Sequence, residues 1–354
     1  MKINGHSHLL PYPEDIPRFM KDKEIFWIDD DRKFMRQKNW QRPVTDKSFF
    51  LKEKLEWMEV NNIDHAVVLN LSQLYGNGLA QQDMCDVLRF QNNFNAQVQQ
   101  NYPTKFTTGF VVHAGYVDGA LLEIERCVEK HNMKVLCLPT HYLSRDGKWK
   151  GIFNEETEPI LELANHYNLA LEIHPYDGDK FIKLENIAWR FHLIWMLAQC
   201  ADAYHFFTLN ACYSKYPNIR ACFAHGGQLN HVNIGRRVQG FDGRPDLFEG
   251  KVRPRKAVGH PNIFFDTLVH DTFSLELIIK RQGSTDQIIM GLDDPYPLGE
   301  MESEPQSSYP GKLLDLAVEE NIISSKQHKE IWYDNVVQWL CGSDNTSFIK
   351  RISN

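Results

Sequence analysis

The chain opens with Lys2-Ile3-Asn4-Gly5-His6-Ser7-His8, a short extended segment that ends in two histidines separated by one serine. Side chains two residues apart on an extended segment share a face, so both imidazoles point the same way. A short apolar run followed by a polar, chemically capable side chain recurs at His174, His225 and Asp293. This recurrence predicts parallel strands whose carboxyl ends gather these side chains at one place.

Short apolar runs alternate with stretches of helical periodicity along the whole chain. We predict eight strands, at Lys2–Asn4, His65–Asn70, Phe106–Val112, Lys134–Leu138, Ala170–Ile173, Ile219–Phe223, Asn262–Asp266 and Gln287–Met290. We predict helices at Asp83–Gln100, Asp118–His131, Thr157–Tyr167, Asn186–Tyr213, Ser274–Arg281 and Lys326–Leu340. Eight alternating units predict an α/β fold of the (β/α)8 TIM-barrel type, in a distorted form. A doubly wound sheet is the alternative, but no glycine-rich phosphate loop follows the first predicted strand.

Residues 1–354 show no convincing interdomain linker, so we expect a single barrel domain. Two segments interrupt its regular pattern. The segment from about residue 11 to 50 is aromatic, charged and rich in proline, and we expect it to be a lid or an inserted subdomain after the first strand. The second, Gly299–Gly311, is predicted to be a loop. Loops of this length in a compact enzyme are usually functional.

Composition excludes several classes of partner. The 39 basic and 46 acidic residues give a net charge of −7 without a basic stripe, which argues against nucleic acid. The seven cysteines occur singly and without a CxxC pair, which indicates free thiols in a reducing compartment. No signal peptide and no apolar run of roughly 20 residues is present, so we expect a cytoplasmic protein without a membrane partner.

The four histidines and the aspartate at the predicted strand ends suit one divalent ion with a spare imidazole beside it. Three imidazoles and one carboxylate leave a coordination position open for water, as a catalytic site requires. Neutral imidazole suits Zn, Fe, Co or Ni. Each residue alone has an ordinary explanation; Asp293, for example, could be only a helix N-cap ahead of Pro295. Their common position after strands one, five, six and eight favours the metal site.

Two histidines after the first strand, one after the fifth, one after the sixth and an aspartate after the eighth is the arrangement of the amidohydrolase superfamily. The finer motifs resemble the branch of 2-amino-3-carboxymuconate-6-semialdehyde decarboxylase and its decarboxylase relatives. The matching stretches are His6–Pro11, Ile173–Asp177, Lys215–Pro217, Cys222–Gly227, Gly235-Arg236, Gly240-Phe241, Arg244–Leu247, Leu268–Asp271 and Asp293–Glu300.

The resemblance implies a zinc-dependent, non-oxidative carboxy-lyase without an organic cofactor. The substrate it implies is 2-amino-3-carboxymuconate-6-semialdehyde of tryptophan–kynurenine catabolism, or a similar small unsaturated or aromatic carboxylate. By the same resemblance, the metal ligands are His6, His8, His174 and Asp293. His225 is then the acid–base residue, and Arg236 reaches a substrate carboxylate from the neighbouring subunit of a homodimer. Arg42 matches a second carboxylate-binding arginine.

The chain departs from the family pattern beside the expected pocket. Asp294 stands where relatives carry tyrosine, and His192 aligns near the tryptophan that shields the substrate. One alternative is a metal-dependent hydrolase of a lactone or amide, because fold and ligands do not fix the chemistry. A barrel that only binds metal or ligand is the last alternative, since the spare His225 has no purpose beside a saturated structural ion.

Overall fold

A computed structural model describes residues 1–176, 182, 184–300 and 308–353, so Asp177 of the motif above and most of the predicted 299–311 loop lie outside the described residues. One parallel sheet of eight strands dominates the chain. Its strands are Ile3–His8, His65–Leu69, Phe106–Val111, Val135–Pro139, Ala170–His174, Arg220–Phe223, Ile263–Asp266 and Ile288–Ile289. All eight predicted strands are therefore confirmed.

The sheet closes on itself between its first and last strands. The Gly5 N–H donates to the Met290 carbonyl at 2.7 Å, and the His8 N–H donates to the Asp294 carbonyl at 2.8 Å. The first strand has an irregular register between Asn4 and Ser7, which distorts this side of the barrel. The predicted (β/α)8 barrel is thus confirmed, and the first and eighth strands become direct neighbours.

Alternation along each strand separates two cores. Leu171, Ile173 and Phe223 are fully buried in the layer between the strands and the surrounding helices. Ala170 and Cys222 belong to a second cluster, together with residues of the C-terminal helices. Because side chains two or four residues apart share a face of a strand, His174 points to the same lumen side of its strand as Ala170.

Helices surround the barrel and close its amino end. Their bounds in the described residues are Arg18–Asp22, Leu51–Val60, Gln81–Asn101, Val117–Glu125, Glu158–His166, Met196–Leu209, Cys212–Lys215, Gln228–Gly243, Thr272–Gln282, Lys312–Glu319, Ser325–Trp332, Asp334–Cys341 and Thr346–Ile352. None of them is long and apolar enough to cross a bilayer.

Two predicted helices are wrong as continuous elements. The predicted helix Asn186–Tyr213 is interrupted at Ala188 and again at Ala211, both of which have φ of 51°. The predicted helix Lys326–Leu340 divides at Tyr333, where φ is −136° and ψ is −70°. Apolar periodicity continues across each break because both sides face the same core, so the pattern does not reveal the change in backbone direction.

The segment expected to be a lid forms its own small sheet, with antiparallel strands Trp27–Ile28, Phe34–Gln37 and Trp40–Pro43. Met20, Phe26 and Met35 are buried in a separate apolar cluster beneath it. Tyr296, which follows the eighth barrel strand, belongs to the same cluster. The added sheet therefore packs against the carboxyl end of the barrel.

The opposite end of the barrel is sealed by the helix Asp334–Cys341. The Trp339 indole N–H donates to the Leu171 carbonyl at 3.3 Å and to the Arg220 carbonyl at 3.2 Å. The buried Arg220 guanidinium donates in return to the carbonyls of Trp339 and Leu340, which end that helix. This closure leaves the carboxyl end as the open face of the barrel.

Candidate active site

The structure brings together four of the residues predicted as metal ligands. His6 and His8 lie within the first barrel strand rather than after it, and His174 is the last residue of the fifth. With Asp293, which follows the eighth strand, their candidate ligand atoms all lie within 4.8 Å of one another. The Nε2 atoms of His6 and His8 are 3.1 Å apart, and His8 Nε2 is 3.0 Å from Asp293 Oδ1.

Several polar atoms of this cluster have no partner within the protein. Both ring nitrogens of His174 and the Nδ1 atom of His8 are buried without a hydrogen bond. Such an atom costs about 1–3 kcal/mol when nothing satisfies it. A cation would satisfy the one ring nitrogen of His174 that it binds, and three imidazoles with one carboxylate are a suitable donor set. The residues present therefore fit one divalent metal ion.

The electrostatics of the cluster also favour a positive charge. Burial lowers the pKa of His6, but the hydrogen bond to Asp266 and the charge of Asp293 raise it to about 9. Burial opposes ionisation of Asp293, yet the hydrogen bond with His8 and the charge of His6 hold the pKa of Asp293 well below its ordinary value. Burial lowers the pKa of His8 and of His174. The ring of His6 is thus protonated beside the carboxylates of Asp266 and Asp293, whereas the rings of His8 and His174 are neutral.

Asp266 is a site residue that sequence reasoning missed. It ends the seventh barrel strand, is 1% exposed, and its Oδ2 atom lies 2.8 Å from His6 Nδ1. The same carboxylate accepts the backbone N–H groups of His225 at 3.1 Å and Gly226 at 2.7 Å. Its position at a strand end was the available signal. Glu172, two residues before His174, was also missed; burial raises its pKa to about 8.

His225 lies beside the cluster on a tight turn. His225, Gly226 and Gly227 all have left-handed φ angles, of 56°, 62° and 52°. A Cβ atom on Gly226 would lie 2.1 Å from Val269 Cγ1, so only glycine fits there. The turn leaves His225 Nε2 at 3.9 Å from Asp293 Oδ2, and burial lowers the pKa of His225. The ring is therefore a neutral base next to the cluster.

A cavity of about 180 Å³ opens above these residues. His174, His225 and Asp293 line its floor, and Arg42 from the added sheet lines its wall. The Arg42 guanidinium carbon lies 4.5 Å from the centre of the Tyr296 ring, which holds the arginine over the barrel end. The cavity thus combines the cluster, a spare imidazole and a permanent positive charge.

The structure does not bring Arg236 to this cavity within one chain. Arg236 is exposed on the helix Gln228–Gly243, on the same face as the exposed Leu229 and Val232. Its neighbour Arg237 turns inward and donates to His205 Nδ1 at 3.0 Å and Thr208 Oγ1 at 2.9 Å. The role expected for Arg236 stays a prediction.

The two departures from the family pattern occupy different places. His192 lines the cavity and stacks on Trp189 with ring centres 4.8 Å apart. Burial, and then the charge of Arg42, lowers the pKa of His192 to about 4. Asp294, by contrast, is fully buried and turned away from the cluster, accepting from Ser7 Oγ at 3.1 Å. Only His192 is positioned to touch a substrate.

Comparison with known proteins gives this architecture a family. The sequence pattern of the amidohydrolase family matches residues 3–304. This chain belongs to the amidohydrolase family. It is 25% identical over 327 residues to 2-amino-3-carboxymuconate-6-semialdehyde decarboxylase of Dictyostelium discoideum, covering 89% of this chain and 85% of that one. The Caenorhabditis elegans protein of the same name is 30% identical over 190 residues, 53% of this chain and 44% of its own. The predicted resemblance is confirmed.

Solved structures share the fold at low sequence identity. The 5-carboxyvanillate decarboxylase of Sphingomonas paucimobilis has a TM-score of 0.72 and 15% identity, with 96% of this chain and 98% of that chain covered. A dihydroxybenzoic acid decarboxylase of Polaromonas, solved with bound manganese, has a TM-score of 0.68 and 15% identity, with 96% of each chain covered. At these identities the likenesses show that the fold is shared.

Proposed function

We propose that this chain is a metal-dependent, non-oxidative decarboxylase, a carboxy-lyase acting on a small unsaturated or aromatic carboxylate. One observation carries the proposal: Arg42, His225 and the buried His–Asp cluster face the same cavity of about 180 Å³. The relatives' names make 2-amino-3-carboxymuconate-6-semialdehyde the first substrate to test, which would give the chain a role in tryptophan–kynurenine catabolism.

In this proposal His6, His8, His174 and Asp293 hold one divalent ion. Zinc is our first choice because it accepts imidazole and carboxylate together and tolerates an open coordination position. Manganese is the second, given its presence in the Polaromonas decarboxylase. When bound, such an ion supplies Lewis acidity to the reacting centre.

The protein's own residues then bind the substrate and move the proton. Arg42 pairs with a substrate carboxylate, since its planar guanidinium matches the two carboxylate oxygens. The bond between the leaving carboxylate carbon and the substrate breaks, and its electron pair passes into the conjugated system. The neutral His225 ring takes up a proton from solvent at Nε2 and delivers it to the substrate carbon, so that one carboxylate and one proton yield the product and CO2 and the ring returns to its neutral form.

We also propose a homodimer in which Arg236 of the partner subunit reaches the cavity. The support is the exposed face of the helix Gln228–Gly243, where Leu229 is 37% and Val232 is 63% exposed beside Arg236. Clustered exposed apolar side chains mark interaction surfaces. Two guanidinium groups, one from each subunit, would suit a substrate with two carboxylates.

The remaining expectations stay part of the proposal. We propose that residues 1–354 work as one barrel domain, with residues of about 11–50 acting as a lid that carries Arg42. The contact between Arg42 and Tyr296 supports this role. We also propose a cytoplasmic location, supported by seven cysteines that are all unpaired, as expected in a reducing compartment.

A hydrolase of a lactone or amide is the alternative function. Among the described residues of one chain, Arg42 is the arginine that lines the cavity, and burial keeps the nearby His192 neutral at pH 7 by lowering its pKa to about 4. A cavity with a single guanidinium also accepts a neutral ester or amide. This alternative gains weight if Arg236 of the partner subunit does not reach the site.

The experiment that tests the proposal is an assay of metal-free protein reloaded with Zn²⁺ or Mn²⁺. 2-Amino-3-carboxymuconate-6-semialdehyde is generated in place, and its absorbance and CO2 release are followed together. Metal-dependent decay above the spontaneous rate, with CO2 in step, supports the decarboxylase. Metal-loaded protein without CO2 release, but with hydrolysis in a panel of lactones and amides, supports the alternative.

A further inference from the structure

A buried ion pair lies directly behind the candidate metal centre. Lys54, on the helix Leu51–Val60, and Asp294 are both 0% exposed. The Lys54 ammonium contacts Asp294 Oδ2 and lies 3.2 Å from Ser7 Oγ. A buried ion pair is strongly destabilising when one partner is removed, because the remaining charge is left without compensation. The ion pair therefore fixes the positions of the residues that form hydrogen bonds with it.

Asp294 joins the two segments that carry three of the four candidate ligands. It directly follows Asp293, and its side chain accepts hydrogen bonds from Ser7 Oγ and from Asn4 Nδ2. Its backbone carbonyl accepts the His8 N–H at 2.8 Å. Since Ser7 lies between His6 and His8, the network ties the first strand to the segment that carries Asp293.

Asn4 completes the same network from below. Its Oδ1 atom accepts the N–H groups of His6 and Leu292, both at 3.1 Å. The two segments are thus joined by side chains as well as by backbone hydrogen bonds. Lys54 supplies the one positive charge of this network, and it comes from a helix that begins immediately after the lid segment.

We propose that Lys54 is a positioning residue of the metal centre, which through Asp294 and Ser7 holds His6, His8 and Asp293 in register for a divalent ion. The inference rests on the proposed metal centre and not on the identity of the substrate. Residues behind metal ligands orient those ligands, and their loss commonly lowers metal affinity about 10- to 100-fold.

A purely electrostatic effect predicts the opposite sign. Without Lys54, the Asp294 carboxylate would add an uncompensated negative charge near the cluster, and a cation would be attracted more strongly. The direction of the change in metal affinity therefore separates the two effects. Misplaced ligands lower the affinity, whereas the added negative charge of Asp294 raises it.

The experiment measures Zn²⁺ affinity of metal-free protein by competition with a chromophoric chelator, without substrate. Lys54→Met should weaken Zn²⁺ binding about 10- to 100-fold. Lys52→Met is the matched control, because Lys52 lies on the same helix, is 78% exposed and pairs with Glu56 at 3.9 Å. Its affinity should remain at the wild-type value. The double variant Lys54→Met/Asp294→Asn should recover most of the lost affinity, since no charge is then left unpaired.

Thermal unfolding of the same metal-free variants separates position from stability. A merely structural lysine would lower Tm without changing the affinity for Zn²⁺, and equal or tighter Zn²⁺ binding by folded Lys54→Met overturns the proposal. If Lys54→Met binds Zn²⁺ weakly and the double variant does not recover the affinity, Lys54 does not act through Asp294. If Lys54→Met does not fold, Asp294→Asn is compared with the double variant, which must bind Zn²⁺ more tightly.

Failure of the metal centre itself has a different outcome. If wild-type protein binds no Zn²⁺, the proposed centre and the role of Lys54 fail together. If wild-type protein binds Zn²⁺ and Lys54→Met binds it equally, only the positioning role is lost. Absence of decarboxylation bears on neither result, because no substrate is present.

Discussion

Asp266 lies beneath the cluster, with its Oδ2 atom 2.8 Å from His6 Nδ1. A hydrogen bond at Nδ1 selects the tautomer that leaves Nε2 free for a cation. Because Asp266 also accepts the backbone N–H groups of His225 and Gly226, one carboxylate orients both a candidate ligand and the candidate acid–base residue.

Replacing Asp266 should therefore weaken the metal site. Asp266→Asn places an amide NH2 group where two donors already converge, so we expect Zn²⁺ affinity to fall about 10- to 100-fold. Chelator competition measures this change. Asp271→Asn is the control, because Asp271 caps a helix through Ser274 N at 2.7 Å and asparagine caps equally well. Wild-type affinity in Asp266→Asn would contradict the prediction.

His225 and His174 should behave differently when truncated. His225→Ala should keep its metal but lose turnover about 10²- to 10⁴-fold, the usual contribution of a general acid–base group. His174→Ala should lose both, because one ring nitrogen of His174 lies within 4.8 Å of the other candidate ligand atoms. Metal content is measured beside CO2 release. The acid–base assignment would be wrong if metal-loaded His225→Ala were fully active.

Arg42 should affect substrate binding and leave metal content unchanged. A hydrogen bond to a charged group contributes about 1.5–3 kcal/mol, so Arg42→Ala should raise KM about 10- to 100-fold. Arg42→Lys should show a smaller rise in KM than Arg42→Ala, but not the wild-type value, since lysine lacks the planar pair of donors. Lys33→Ala, an exposed change in the same lid segment, is the control. An unchanged KM in Arg42→Ala would remove the arginine from the site.

Arg236 should act across a subunit interface. Arg236→Ala and His174→Ala homodimers should each be inactive or weak, whereas a hybrid dimer combines one intact cluster with one intact arginine. Random exchange makes half of the dimers hybrids with one working site in two, so about a quarter of wild-type activity should return. Exchange is verified with differently tagged subunits. No recovery in verified hybrids excludes action in trans.

Stability should depend on pH through His65, far from the candidate metal centre. Burial, despite the hydrogen bond to Thr104, lowers the pKa of His65 to about 4, and the charges of Arg351 and Lys105 act in the same direction as burial. The unfolded chain binds a proton near pH 6.5, so it holds more protons than the folded chain between the two values. The stabilising contribution is therefore complete above pH 6.5 and is lost as pH falls towards 4.

The measurement is the free energy of unfolding in urea at pH 7 and pH 5, with a chelator present. His65 should account for about 2 kcal/mol of the loss, which His65→Gln should remove. His166→Gln, on the surface of the helix Glu158–His166, should keep the wild-type pH dependence. If His65→Gln loses as much unfolding free energy between pH 7 and pH 5 as the wild type, groups other than His65 cause the loss.

The residues at the strand ends could be predicted from the sequence, because all strands of a parallel barrel run in the same direction and their carboxyl ends lie on one face. Once His8, His174 and Asp293 each follow a buried run, closure of the barrel brings them together whatever the intervening helices do. Asp266 obeyed the same rule and was still missed, because an aspartate at a strand end is also a common helix cap and nothing local distinguishes the two. The break of the predicted 186–213 helix at Ala188 was missed for a similar reason, since alanine favours helices.

The barrel, the cluster of His6, His8, His174 and Asp293, and the neighbouring His225 could be predicted from the amino-acid sequence, because they depend on the order and spacing of strands. Which side chains support them became visible in the folded structure alone. The Lys54–Asp294 pair joins residues 240 positions apart, and the His6–Asp266 contact joins residues 260 apart. Such pairs follow from packing in three dimensions, where a buried charge must meet groups that compensate it, and no periodicity along the chain records which groups these are.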